Sequence, residues 1–174
     1  MEEPAIAIQG AEHFDKVLLA PGGKKWKRPC MEPEEIIAAL NRNLENEYGS
    51  VLFYIQFSSQ PAISREPKLS KVISGLAADE MRHAEYLADQ IALMGGKSSW
   101  QVAPFERKNT LKENLELIIE IEEEAIREYT ELIEKLDDRP AIQNALREIL
   151  EDEKAHRAKT EKILRTRSKL LSKG

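Results

Sequence analysis

The sequence predicts an all-α fold, a four-helix bundle of two antiparallel hairpins joined by one long crossover. Two observations lead there. Four segments of helical length repeat apolar residues at three-and-four spacing, and the links inside each half of the chain are short while the link between the halves is long. A third concerns the seam itself, since each apolar stripe is interrupted near its middle by an acidic residue.

The first helix is expected from Pro33 to about Phe57. Pro33 suits a first turn, where its missing N–H has no partner to lose, and Glu34 and Glu35 sit near the positive end of the dipole. Ile37, Leu40, Leu44, Val51 and Tyr54 mark its buried stripe. After a short link containing Pro61 and Pro67, a second helix runs from about Lys68 to Met94, where Gly95-Gly96 stops it. Thr110 and Glu113 have capping-box spacing and open a third helix over about Leu111 to Leu136. Asp138 and Pro140 begin a fourth that continues to about Leu170.

Helices of about 25 residues are ~38 Å long. The segment from Gly95 to Asn109 could cover ~50 Å when extended, enough to return along the bundle and start the third helix parallel to the second. Residues 33–174 therefore form the bundle, and residues 1–32, with the basic run from Lys24 to Arg28, form an N-terminal extension.

Composition narrows the function. With 174 residues, 41% hydrophobic and 33% charged, the chain suits one soluble domain. A net charge of -5 gives no reason to expect nucleic acid. Cys30 is the only cysteine, which excludes an internal disulfide and a four-cysteine metal knuckle. No run approaches the ~20 apolar residues of a membrane span, and the N-terminus has no basic start followed by an apolar stretch, so a cytoplasmic location is expected.

The chemistry lies in the interrupted seams. The second helix reads Ile73, Leu76, Glu80, His83, Leu87 and Met94; the fourth reads Ile142, Leu146, Ile149, Glu153, His156 and Ile163. Glu47 and Glu122 face inward from the first and third helices. Four buried carboxylates would repel one another until some took up protons, and two divalent cations remove that problem. Neutral His83 and His156 add nitrogen donors without altering the charge balance. Residues three apart share a helix face, so each Glu-x-x-His pair aims both donors at one centre.

A single Glu-x-x-His is a weak signal in helices rich in Glu and Lys. Here it repeats: Glu47, Tyr54, Glu80 and His83 are echoed by Glu122, Tyr129, Glu153 and His156, and only three histidines exist in the chain. Oxygen and nitrogen donors without thiolate suit iron or manganese better than zinc. Tyr54 and Tyr129 either donate hydrogen bonds to the site or fill the core, and the core reading is the stronger for Tyr129.

These motifs resemble the ferritin-like superfamily, in particular bacterioferritins and erythrins, over about residues 33–168. The resemblance implies two iron ions, with Glu80 and Glu153 bridging and Glu47 and Glu122 as terminal ligands. It implies that Asp79 and Asp152 orient the histidines and that Tyr54 lies near the metals. The run Asp79-Glu80-Met81-Arg82-His83 is similar to the bacterioferritin segment whose methionine ligates haem, which makes Met81 a candidate haem ligand. The implied activity is ferroxidase chemistry, with Fe(II) and dioxygen or hydrogen peroxide as reactants, in a homodimer or larger homo-oligomer serving iron storage or detoxification.

The departures matter too. Only residues 157–174 follow His156, which leaves no separate fifth helix and weakens the expectation of a cage. An erythrin-like peroxide reductase drawing on an external electron donor is the second reading. Against it, Cys30 alone cannot build a rubredoxin module, and Ala125 stands where such sites tend to carry a further glutamate. A bundle with a structural metal is the third.

Overall fold

The computed structural model describes residues 31–60, 63, 65–136 and 139–171. The basic run, Cys30 and the rest of the predicted extension up to residue 30 lie outside the described residues. Four long helices make up the bundle: α1 (Pro33–Ser58), α2 (Pro67–Leu93), α3 (Leu111–Lys135) and α4 (Pro140–Leu171). Among the described residues there is no strand, and no helix is long and apolar enough to cross a membrane.

Local chemistry sets the helix ends. Pro33 occupies the first turn of α1, and the Glu35 carboxylate accepts the Glu32 N–H at 3.0 Å. At α3 the predicted capping box is present in both directions: Glu113 N–H donates to Thr110 Oγ1 at 3.2 Å and Thr110 N–H to Glu113 Oε2 at 3.0 Å. Gly95 ends α2 with φ 77°, a left-handed conformation that costs glycine little, and its N–H donates to Ala92 O at 2.9 Å. The α1 stripe begins one residue earlier than the periodicity suggests. Ile36 is fully buried, whereas Ile37 is half-buried because it covers the turn at Gly96.

α1 packs on α2 and α3 on α4, so the two halves of the chain are the two hairpins. The crossover then travels back beside α1. Asn41 Nδ2 donates to Lys97 O at 3.1 Å, Ser99 N–H to Asn41 Oδ1 at 2.6 Å, and Ala103 N–H to Glu45 O at 2.9 Å. Gly49 is required where this strap passes closest, because a Cβ there would stand 2.5 Å from Ala103 O and from the Phe105 ring. Buried Asn114 fastens the far end, accepting the Lys108 N–H and donating to Lys108 O and Thr110 O.

Two apolar clusters fill the bundle. One is built from Ile36, Leu40, Leu44, Leu87, Ile91, Leu132, Leu146 and their neighbours. The other is built from Phe53, Phe57, Ile63, Ile73, Leu76, Leu115 and Ile118. Along every helix the polar residues of the seam fall between them, so water is excluded from both ends of whatever sits in the middle.

Candidate metal centre

Glu47, Glu80, His83, Glu122, Glu153 and His156 all lie within that middle layer, each no more than 4% exposed. They form two groups that share a pair of carboxylates. Ligand atoms of Glu47, Glu80, His83 and Glu153 lie within 4.8 Å of one another, as do those of Glu80, Glu122, Glu153 and His156.

The shared carboxylates each face both imidazoles. His83 Nδ1 stands 2.9 Å from Glu80 Oε2 and 2.9 Å from Glu153 Oε1. His156 Nδ1 stands 3.1 Å from Glu80 Oε1 and 3.6 Å from Glu153 Oε2. The other two are one-sided: Glu47 approaches only His83, at 3.9 Å, and Glu122 only His156, at 3.8 Å. Nitrogen and oxygen ligands about 2.1 Å from a first-row cation lie roughly 3 Å apart around it. The three shortest separations, 2.9, 2.9 and 3.1 Å, are those of coordination edges, and the other three are longer.

Three buried atoms of this layer, Glu80 Oε1, Glu153 Oε1 and His156 Nδ1, make no well-aligned hydrogen bond, although each stands close to another donor of the layer. Orphaned buried acceptors are costly, and a cation is the partner that satisfies all three at once. The donor set thus fits a pair of divalent ions.

Without cations, protons must hold the charges together. Burial, then the neighbouring Glu80 and Glu153, raises the Glu47 carboxyl well above the usual range. Burial, then a hydrogen bond with Glu153, does the same to Glu122. For the imidazoles burial works toward deprotonation but is overcome by hydrogen bonds to Glu153 and Glu80, which push His83 up to about 11 and His156 up to about 10. Glu153 moves the other way: burial opposes ionisation, yet bonds with Glu122, His156 and His83 hold it ionised.

Both tyrosines serve the layer. Tyr54 Oη donates to Glu122 Oε1 at 2.6 Å, and Tyr129 Oη donates to Glu47 Oε1. The core reading of Tyr129 is thus incomplete, since its ring packs in the core while its hydroxyl holds a site carboxylate. The signal was its place in the repeat, seven residues after Glu122 as Tyr54 follows Glu47. Asp79 and Asp152 also reach the site, each from the opposite hairpin: His156 Nε2 is 3.2 Å from Asp79 Oδ2, and His83 Nε2 is 3.3 Å from Asp152 Oδ2. Met81 stands apart from this buried layer, 44% exposed on α2.

A four-helix bundle with an inward glutamate on each helix and a Glu-x-x-His pair on two of them defines the carboxylate-histidine metal bundles. The family model described as a ferritin-like domain matches residues 37–170, and the chain belongs to that family. Two solved structures share the fold. One, described as ferritin-like diiron-carboxylate proteins from Bacillus anthracis str. Ames, is 24% identical with a TM-score of 0.71, covering 77% of this chain and 99% of its own. The other, the bacterioferritin BfrA of Mycobacterium tuberculosis, is 24% identical with a TM-score of 0.74, covering 81% of this chain and 90% of its own. No curated protein matches the sequence.

Proposed function

We propose that this protein binds two Fe(II) ions in the middle layer and oxidises them with dioxygen or hydrogen peroxide. The observation that carries the reading is the two-sided placement of Glu80 and Glu153, each with one oxygen toward His83 and the other toward His156. Carboxylates placed in that way would hold both ions, and the pair would supply two electrons to one oxidant molecule. Glu47 and Glu122 would each hold one ion from its own side; manganese suits the same donors.

The bound pair supplies one electron per Fe(II): hydrogen peroxide takes two electrons and two protons and leaves as two waters, or dioxygen takes them and leaves as hydrogen peroxide. The chain's own groups hold the geometry. Tyr54 and Tyr129 fix the two terminal carboxylates by donated hydrogen bonds, and the apolar clusters above and below keep bulk water from the layer. Neutral imidazoles ligate through Nδ1 when the proton sits on Nε2, the atom that faces Asp152 or Asp79.

Anaerobic Fe(II) titration of the metal-free protein tests the assignment. Two ions should bind per chain, and Glu47→Ala and His83→Ala should each lose most of that binding; unchanged stoichiometry in either variant sinks it. Adding oxidant then separates the ferroxidase from a peroxide reductase, because only the latter turns over peroxide continuously when a reductant is supplied. Exposed Leu52 and Ile55 on α1 and Met81 on α2 support assembly into a homodimer or larger oligomer, which light scattering reads directly. A haem held by Met81 would lie outside the metal layer, and a haem absorbance band lost in Met81→Leu tests it.

A further inference from the structure

The metal layer is closed on three sides. Apolar clusters seal it above and below. On the α2/α4 side the His83 and His156 rings stack 5.9 Å apart at 27°, with their outer nitrogens held by Asp152 and Asp79. The fourth side is different. Between α1 and α3 lies a cavity of about 80 Å³ whose lining runs from the exposed Glu124 past half-buried Asn46 and Glu128 to Glu80 and Glu153. Its inner end therefore holds the two residues whose Oε1 atoms make no well-aligned hydrogen bond.

The passage is narrow, and its largely apolar walls carry a few polar side chains. Ser50 and Asn43, each 5% exposed, line it from α1, and the small side chain of Ala125 leaves the α3 wall open. Across it Asn46 Nδ2 donates to Glu128 Oε2 at 3.0 Å. Glu128 also lines the neighbouring cavity beside Arg42 and Glu131, so it stands between that space and the inner carboxylates.

We propose that divalent cations load the site through this α1/α3 cleft, with Glu128 as the carboxylate that first captures them and Asn46 as the residue that holds Glu128 across the passage. The inference rests on the two-cation reading given above. A hydrated cation approaching from solvent meets one anionic, half-dehydrated ligand at the hydrogen-bonded constriction. It is then drawn inward by carboxylates that are better solvated by a cation than by the apolar walls. Glu128 lies outside both converging groups, so it governs the rate of loading and not the final affinity.

The test is stopped-flow uptake of Co(II) by the metal-free full-length protein, read by visible ligand-field absorbance. Glu128→Gln keeps the size and the bond to Asn46 but removes the charge. It should slow uptake about fivefold or more, with the final stoichiometry and spectrum unchanged, and should flatten the dependence of the rate on ionic strength. Ala125→Phe, which fills the cleft, should slow uptake further. Glu120→Gln, an exposed change on the same helix outside the cavity, should stay within about twofold of the parent. A Glu128→Gln rate equal to that of Glu120→Gln overturns the route while leaving the cation site standing. Failure of the parent protein to bind Co(II) at equilibrium overturns the cation site and the route together.

Discussion

His83 on α2 and Asp152 on α4 meet across the two hairpins, with His83 Nε2 3.3 Å from Asp152 Oδ2, while the mirror pair, His156 and Asp79, makes the same contact in the opposite direction at 3.2 Å. Each hairpin thereby orients the other's imidazole. The pairs are not equivalent, because Arg82 forms an ion pair with Asp79, whereas among the described residues Asp152 faces His83 and pairs with no lysine or arginine.

The first prediction follows from that inequality. Asp152→Asn removes a full carboxylate from behind His83 and should weaken cation binding about tenfold. Asp79→Asn removes a carboxylate whose charge Arg82 already offsets, and should cost roughly threefold. Anaerobic calorimetric titration with Mn(II) measures both. Equal losses would show that Arg82 does not temper the Asp79 contact.

Protons and cations compete for the same layer, which gives a pH dependence of definite sign. With His83 raised to about 11 and His156 to about 10, both imidazoles are protonated at neutral pH in the metal-free chain. Cations must expel those protons, so affinity should rise between pH 6 and 8 by up to about tenfold per unit for each proton displaced. Calorimetry in buffers of different ionisation enthalpy counts the protons released. The metal-free fold should behave oppositely. A histidine with a raised folded value contributes stability that is full below its unfolded value of about 6.5 and is lost as pH rises through 10 to 11. Thermal melts from about pH 7 to pH 11 should therefore show the metal-free protein weakening progressively and bound metal restoring it.

Tyr54 and Tyr129 hold Glu122 and Glu47 through equivalent bonds, so their loss should be equivalent. Tyr54→Phe and Tyr129→Phe each leave a buried carboxyl without its donor, costing about 1–3 kcal/mol and lowering Tm by roughly 2–12 °C in the metal-free protein. Scanning calorimetry of the two variants checks this. A loss confined to Tyr54→Phe would restore the core-only reading of Tyr129.

Much of this was legible because polar residues in an apolar seam are conspicuous. Glu80, His83, Glu153 and His156 interrupt stripes that otherwise read Ile and Leu, and period alone placed them inward; Thr110 and Glu113 announced the start of α3 in the same local way. Periodicity gives the face a residue occupies but not what it meets across the bundle. That Tyr129 bonds Glu47 and not Glu122, that Asp152 serves His83, and that Asn46 reaches Glu128 all depend on how two hairpins dock, and those partners are far apart in the chain. The length of the crossover allowed its return path but carried no mark of which helix it would follow.

Gly49 records that path, and two glycine substitutions test it against each other. Gly49→Ala places a methyl 2.5 Å from Ala103 O and from the Phe105 ring, next to the bond from Ala103 N–H to Glu45 O. The strap must move to admit it, which should cost about 1–3 kcal/mol. Because Phe105 also lines the loading cleft, the same change should alter the rate of Co(II) uptake. Gly75, inside α2, has nothing within 4 Å of an added Cβ, so Gly75→Ala trades a flexible residue for a good helix former and should gain up to about 1 kcal/mol. Urea unfolding of the pair distinguishes contact from propensity. Opposite signs are expected, and a neutral Gly49→Ala would mean that the crossover does not lie against α1 in solution.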